Sequence, residues 1–253
     1  MSFTKKVAII TGAGSGIGAA TAKRFANDGF FVVLNGRDPV KLDKTANAIG
    51  PTSCLVIAGD ISTTEVANKV VDQTLTLTGR IDVLINNAGI ANFNAIEEFS
   101  DDEWDEQMRI NAKSVFLMTK AALPALKETK GSIVNVSSAS GLGGDWNGFS
   151  YNASKAAVAN FTRAMALDLG PTDVRINAVA PSLTDTDMAK MVMDNADVLD
   201  AFLQRIPMQR AAQPEEVADV IAFLAGYDAR FVNGAILPVD GGVSASNGQP
   251  NLT

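Results

Sequence analysis

Tyr151 and Lys155 stand four residues apart in Tyr151-Asn152-Ala153-Ser154-Lys155, with Ser138 thirteen residues upstream of the tyrosine. Four residues make one helical turn, so the phenol and the ammonium share a helix face and can interact. The chain has no histidine and only two tyrosines. A protein that must move protons without imidazole has few side chains to choose from, and a cation-paired tyrosine is a strong choice. Lowering a phenol pKa from about 10 to about 7 takes roughly 4 kcal/mol. One cation at about 4 Å supplies roughly that at an effective dielectric of about 20. Helices also carry Tyr and Lys at this spacing for packing alone, so the elements that position the pair decide what it means.

The first of those elements lies at the other end of the chain. Val7-Ala8-Ile9-Ile10-Thr11 is an apolar, β-branched run that feeds Gly12-Ala13-Gly14-Ser15-Gly16-Ile17-Gly18, and Ala19 to Ala26 continues as a helix. Strand, glycine turn and helix make the opening unit of a dinucleotide fold, with a pyrophosphate at the helix N-terminus. Glycine is needed where the backbone turns tightly and where phosphates approach with no Cβ in the way. The spacing is Gly12-x-x-x-Gly16-x-Gly18, preceded by Thr11, rather than the general G-x-G-x-x-G.

Taken together, these motifs resemble the short-chain dehydrogenase/reductase family. Thr11-Gly12-x-x-x-Gly16-Ile17-Gly18 matches its cofactor turn, and Asn86-Asn87-Ala88-Gly89 matches the motif after its fourth strand. Asn111, Ser138, Tyr151 and Lys155 fall where the family keeps its catalytic tetrad. Pro181-Ser182-x-x-x-Thr186-x-Met188 is similar to the segment that contacts the nicotinamide, although many members have glycine in place of Ser182. Ser140 to Trp146 and the ending Pro238-Val239-Asp240-Gly241-Gly242 through Asn247 to Pro250 are similar to bacterial acetoin and meso-2,3-butanediol dehydrogenases.

Composition sets outer bounds. The 253 residues suit one large α/β domain, 1–253, and 47% hydrophobic residues suffice to cover a sheet on both faces. No apolar run reaches the roughly 18 residues of a membrane span. Met1 to Lys6 leads straight into the first strand, which leaves no room for a signal peptide. The one cysteine, Cys54, fits a reducing cytoplasm and reads as buried and inert. A net charge of −7 argues against nucleic acid and anionic membranes as partners. Without histidine or paired cysteines, no tight transition-metal site is expected.

Apolar runs alternate with helical patterns, which implies a doubly wound parallel sheet of about seven strands in a Rossmann fold. Strands are expected at 6–11, 31–35, 53–58, 82–86, 131–137, 174–180 and 235–238. Helices are expected at 16–28, 39–49, 63–78, 101–128, 150–169 and 214–226. Ser62 with Glu65 and Ser100 with Glu103 read as capping boxes. Asp38-Pro39 and Gln213-Pro214 place proline at a first helical position. The long connection at 181–213, rich in Met and Asp, follows a strand end where ligands bind in such sheets, so 183–210 reads as a substrate lid.

The second strand ends Asn35-Gly36-Arg37-Asp38. NAD-preferring folds usually place an acid at this tip, whereas arginine grips a 2′-phosphate bidentately. Asp38 precedes proline and reads as a helix cap. NADP(H) is therefore the favoured cofactor, with NAD(H) the alternative. The resemblance complicates this, because NADP-preferring members often carry a basic residue where this chain has Ser15, and the butanediol-type relatives often use NAD.

The resemblance implies roles for each residue. Tyr151 exchanges a proton with the substrate oxygen, Lys155 lowers its pKa and reaches the ribose, Ser138 donates to the oxygen, and Asn111 holds a water. Cofactor contacts are implied at Gly12, Ser15, Gly16, Ile17, Gly18, Arg37, Asp60, Ile61, Asn87, Ala88, Gly89, Tyr151, Lys155, Pro181, Thr184 and Thr186. Asp60 matches the family's adenine contact, with a cap near Ser62 as the alternative. Ser137 and Ser138 face opposite ways on a strand, so only one can meet the tyrosine, and the resemblance selects Ser138. Leu142, Trp146, Phe93, Leu183, Met188, Val192 and Phe202 are candidates for the pocket wall. No Arg or Lys lies between Ser140 and Ser150 to anchor an anionic substrate. The leading expectation is a carbonyl reductase and secondary-alcohol dehydrogenase for acetoin-like or broader neutral ketones, assembled as a homotetramer. The alternatives are a 3-oxoacyl carrier-protein reductase and a non-catalytic NAD(P)-sensing protein.

Overall fold

Each apolar run forms a strand whose two faces are both covered. Val7 and Ile9 enter one core layer and Ala8 and Ile10 the other, the two-residue alternation of a strand. The computed structural model describes residues 3–247. Its seven strands are β1 (Val7–Thr11), β2 (Phe31–Gly36), β3 (Cys54–Ala58), β4 (Val83–Asn86), β5 (Ser132–Val136), β6 (Arg175–Pro181) and β7 (Ile236–Val239). They form one parallel sheet in the order β3-β2-β1-β4-β5-β6-β7.

The helices are α1 (Gly16–Asn27), α2 (Pro39–Ile49), α3 (Thr64–Thr78), α4 (Asp101–Met108), α5 (Ser114–Thr129), α6 (Phe149–Leu169), α7 (Lys190–Met193), α8 (Ala196–Leu203) and α9 (Pro214–Ala225). Phe25, Leu42 and Ile221 bring α1, α2 and α9 onto one face of the sheet. Val70, Met118 and Ala166 bring α3, α5 and α6 onto the other. This is the doubly wound architecture read from the alternation of patterns.

The order of strands reverses between β1 and β4. The chain runs outward from β1 to β3, then crosses back and runs the other way from β4 to β7. A crevice opens at such a switch, outside the carboxyl ends of the two strands. A buried amide ladder stiffens the sheet beside it: Asn86 Nδ2 donates to Asn135 Oδ1 at 2.8 Å, and Asn135 Nδ2 donates to Thr162 Oγ1 at 2.9 Å.

Most caps stand where the sequence places them. Asp38 Oδ1 accepts from the N–H groups of Val40 and Lys41, and Ser100 with Glu103 forms a reciprocal capping box. Before α9, Glu216 Oε2 accepts from the Gln213 N–H at 2.8 Å, half of the same arrangement. Two expectations change. The N-cap of α3 is Thr63, which accepts from Val66 N–H, because Ser62 is engaged by Asp60 instead. The helix expected over 101–128 is broken by a π-turn at Arg109–Lys113, which separates α4 from α5. Cys54 is half-buried at the start of β3, and burial pushes its thiol pKa up.

Candidate active site

The crevice is built around Thr11. Its hydroxyl donates to Ile85 O and accepts from the N–H groups of Asn87 and Ala88, at 2.9 and 3.1 Å. Asn87 Nδ2 returns bonds to Thr11 O and Gly12 O at 2.9 and 3.2 Å. The end of β1 and the segment after β4 are thus one hydrogen-bonded unit.

The glycine turn leaves a cradle that fits a dinucleotide. Gly12 and Gly16 have φ of 66° and 50°, in the left-handed region. A β-carbon on Gly18 would lie 2.1 Å from the Gly12 carbonyl oxygen, so helix α1 approaches β1 only through glycine. Ser15 is the N-cap of α1 but makes no side-chain capping bond. The first N–H groups of α1 therefore stay open to an anion. A cleft of about 480 Å³ runs from Gly14, Ser15 and Gly16 across to Thr186 and Asp187.

At the tip of β2, Gly36 is followed by an exposed Arg37 that forms no ion pair among the described residues. Asp60, after β3, is held on both oxygens: Oδ1 by Ser62 and Oδ2 by Arg109 at 2.8 Å. Burial pushes its pKa up, but the bonds from Ser62 and Arg109 outweigh that and bring it to about 2. Ile61 packs its side chain into the core and offers only its backbone outward.

Deeper in the crevice, the π-turn before α5, helix α6 and the loop after β4 converge on Gly89. A β-carbon there would lie 3.2 Å from Asn111 Oδ1 and 3.3 Å from Lys155 Nζ, so the missing side chain lets both approach. Asn111 sits at the middle of the π-turn. Its Oδ1 accepts from Ile90 N–H at 2.8 Å, and its Nδ2 donates to Ile90 O at 2.8 Å and to Ser154 Oγ at 2.9 Å. A π-turn inside a helix often marks such a site. Lys155 is buried, and Nζ donates to Val136 O at 3.0 Å. With no acid beside it among the described residues, burial lowers its pKa to about 8.

Ser138 and Ser137 separate as strand alternation requires. Ser137 Oγ donates to Lys155 O, anchoring the helix backbone, while Ser138 faces the Tyr151 phenol closely enough to lower its pKa. Phe93 packs against the Tyr151 ring with centroids 5.6 Å apart.

The expected lowering of the Tyr151 pKa does not hold in the chain alone. Burial pushes it up, Ser138 pulls it down, and Asp145 pushes it up again. Lys155 Nζ lies 5.7 Å from the ring centroid and is turned to Val136 O, so the close cation assumed from spacing is not in place.

The segment 183–210 is pinned at its base by the Thr184–Ala212 bridge, and Asp187 reaches α2 through a 2.6 Å ion pair with Lys41. Thr184 Oγ1 donates to Ser182 O, and Pro181 O accepts a long bond from Ser138 Oγ. Thr186 Cγ2 lies 2.9 Å from where a Gly16 β-carbon would stand. Of the pocket candidates, Leu183 and Val192 are half-buried, whereas Leu142, Met188 and Phe202 are exposed and Trp146 is 96% exposed. Phe93 alone of the pocket candidates forms a ring contact with the tyrosine. Arg109 and Ser154 were not singled out from the sequence; their roles depend on partners that only the fold brings near.

A family sequence model described as "Enoyl-(Acyl carrier protein) reductase" matches residues 12–244. The chain is 46% identical over 252 residues to the meso-2,3-butanediol dehydrogenase of Serratia marcescens, with 100% of both chains covered. It is similar to the crystal structure of levodione reductase at TM-score 0.91 and 35% identity, over 96% of this chain and 99% of that one. It is also similar to a 3-ketoacyl-(acyl-carrier-protein) reductase from Brucella melitensis complexed with NADH. There the TM-score is 0.88 and the identity 36%, over 96% of this chain and 100% of that one.

Proposed function

The chain belongs to the short-chain dehydrogenase/reductase family and is an oxidoreductase acting on CH–OH groups; on that premise we propose an NADP(H)-dependent carbonyl reductase and secondary-alcohol dehydrogenase for small neutral ketones, acetoin- or diacetyl-like or broader. A bound nicotinamide dinucleotide supplies or accepts the hydride. The observation that carries the catalytic reading is the gathering of Ser138, Tyr151 and a buried Lys155 in one crevice, with Lys155 Nζ 5.7 Å from the tyrosine ring centroid and Ser138 close enough to lower the phenol's pKa. A phenol whose pKa is raised stays protonated, so Tyr151 is poised to give its proton to a carbonyl oxygen. Ser138 donates to the same oxygen as negative charge grows there. Lys155 keeps two N–H donors beyond its bond to Val136 O, enough for a pair of ribose hydroxyls. Asn111, fixed by Ile90 and Ser154, orients the water that passes protons to Lys155.

For the cofactor, Asp38 is committed to the α2 cap, which leaves Arg37 as the charge at the β2 tip. This supports the 2′-phosphate reading. The glycine turn and the open first turn of α1 hold the pyrophosphate, with Thr184, Thr186 and Pro181 on the nicotinamide side. For the substrate, the absence of Arg and Lys from Ser140–Ser150 favours a neutral compound, and the identity to a butanediol dehydrogenase favours the acetoin class. Residues 183–210 act as the lid of a single catalytic domain. The one cysteine supports a cytoplasmic enzyme, and the family likeness supports a homotetramer.

A second reading, 3-oxoacyl carrier-protein reductase, is favoured by the likeness to the Brucella melitensis enzyme. Following oxidation of NADPH and NADH with acetoin, diacetyl, cyclic ketones and an acetoacetyl carrier conjugate separates the two. A specificity constant at least about a hundredfold higher for the carrier conjugate, some 2.7 kcal/mol, would establish the second reading in place of the first.

A further inference from the structure

We propose that Arg109 is a positioning residue that ties the adenine end of the cofactor crevice to Asn111 in the proton path. Its guanidinium donates to Asp60 Oδ2 at 2.8 Å and also to Ser62 Oγ, joining the π-turn after α4 to the loop after β3. Asp60 Oδ1 is meanwhile occupied by Ser62 N–H at 3.0 Å and Ser62 Oγ at 2.6 Å. A carboxylate offers about four lone-pair sites, so these bonds leave one free, on the oxygen that Arg109 holds. The family resemblance implies an adenine contact at Asp60, and the free site can accept from adenine's exocyclic amine; this rests on the dinucleotide reading proposed above. Without Arg109, Asp60 would still be tethered through Oδ1, but the acceptor oxygen would no longer have a fixed direction.

The second half of the inference lies in the helix. Arg109 is the first residue of the π-turn Arg109–Lys113, and Asn111 is at its centre. A π-turn carries one extra residue in a helix and needs local contacts to hold it there. Asn111 grips one side through Ile90, and Arg109 grips the other through Asp60. Releasing Arg109 frees the start of the turn and lets the Asn111 amide drift from Ser154. The ion pair is partly exposed, so by itself it adds little to stability. Its effect is on where two cofactor-facing groups stand.

The test uses Arg109→Met and Arg109→Lys in the full chain, with whichever of NADPH or NADH the parent uses. The hypoxanthine counterpart of that cofactor, which has a carbonyl where adenine has its amine, is measured alongside. Arg109→Met should raise KM for the adenine cofactor about tenfold and for the hypoxanthine cofactor less than about threefold, and it should lower kcat at least about threefold with both. Arg109→Lys should recover most of both losses. An equal rise in KM for the two bases, or a kcat within about twofold of the parent, would overturn the proposal. If Arg109→Met does not fold, Ser62→Ala is read by the same split. A parent that reduces no ketone with either dinucleotide removes the functional reading, and this proposal with it.

Discussion

Asn111 donates its side-chain amide to the Ser154 hydroxyl at 2.9 Å, one residue before Lys155. Ser154 Oγ in turn donates to Tyr151 O at 2.7 Å. The asparagine of the π-turn therefore registers against the turn of α6 that carries both the phenol and the ammonium. The geometry of the site is set by this link as much as by the four-residue spacing.

Replacing Ser154 by Ala removes the acceptor while leaving Asn111 its bonds to Ile90. The expected loss of stability is about 1–3 kcal/mol, since two hydrogen bonds are lost and a buried amide N–H of Asn111 is left without its acceptor. The expected loss of kcat is about three- to tenfold, with cofactor KM held within about twofold. Stopped-flow and steady-state rates on the variant check this. An unchanged kcat would mean the link only joins helices.

Arg37 should set the cofactor preference. A charge-assisted hydrogen bond is worth about 1.5–3 kcal/mol, so Arg37→Leu should cost NADPH about 10–150-fold in kcat/KM and NADH little. Adding Gly36→Asp should widen the gap by repulsion. The Gly36 site has room for this only if Leu42 yields, since a β-carbon would stand 3.3 Å from its Cδ2. A parent that already prefers NADH would show that an acid reaches the ribose. A parent that prefers NADPH, with a ratio unmoved by Arg37→Leu, would place the phosphate elsewhere, with Ser15, Asn35 and Lys41 next to be tested.

The pH profile of reduction should break at the Lys155 pKa. Burial lowers that pKa to about 8, so the ammonium is present below that pH and is lost as pH rises through it. The kcat/KM for ketone reduction should be level on the acid side and decline above about pH 8. A profile flat from about pH 6 to about pH 10 would contradict the role given to this lysine.

What was legible in the sequence was local. The glycine turn, the Tyr151–Lys155 spacing and the Asp38 cap each depend on residues within a turn or two of one another, where backbone geometry alone decides. Alternation separated Ser138 from Ser137, and Ser137 does turn to the backbone of Lys155. The α3 cap was misassigned because Ser62 matches the capping pattern while Thr63 performs it; Asp60 takes Ser62 through a contact the pattern does not encode. The π-turn was hidden in an unbroken amphipathic run. The Arg109–Asp60 pair spans 49 residues, beyond the reach of any local rule. The phenol pKa went the other way because the spacing argument counted the cation and left out desolvation, the larger effect for this half-buried phenol.

The central claim is that the Tyr151 hydroxyl is the proton donor to the reacting oxygen, and Tyr151→Phe tests it most directly. The ring keeps its contact with Phe93, so only the hydroxyl is lost. Ketone reduction by the variant should fall about 10²–10⁴-fold, while cofactor affinity, measured by fluorescence titration, should stay within about threefold. Turnover within about tenfold of the parent, with the cofactor still bound, would contradict the assignment.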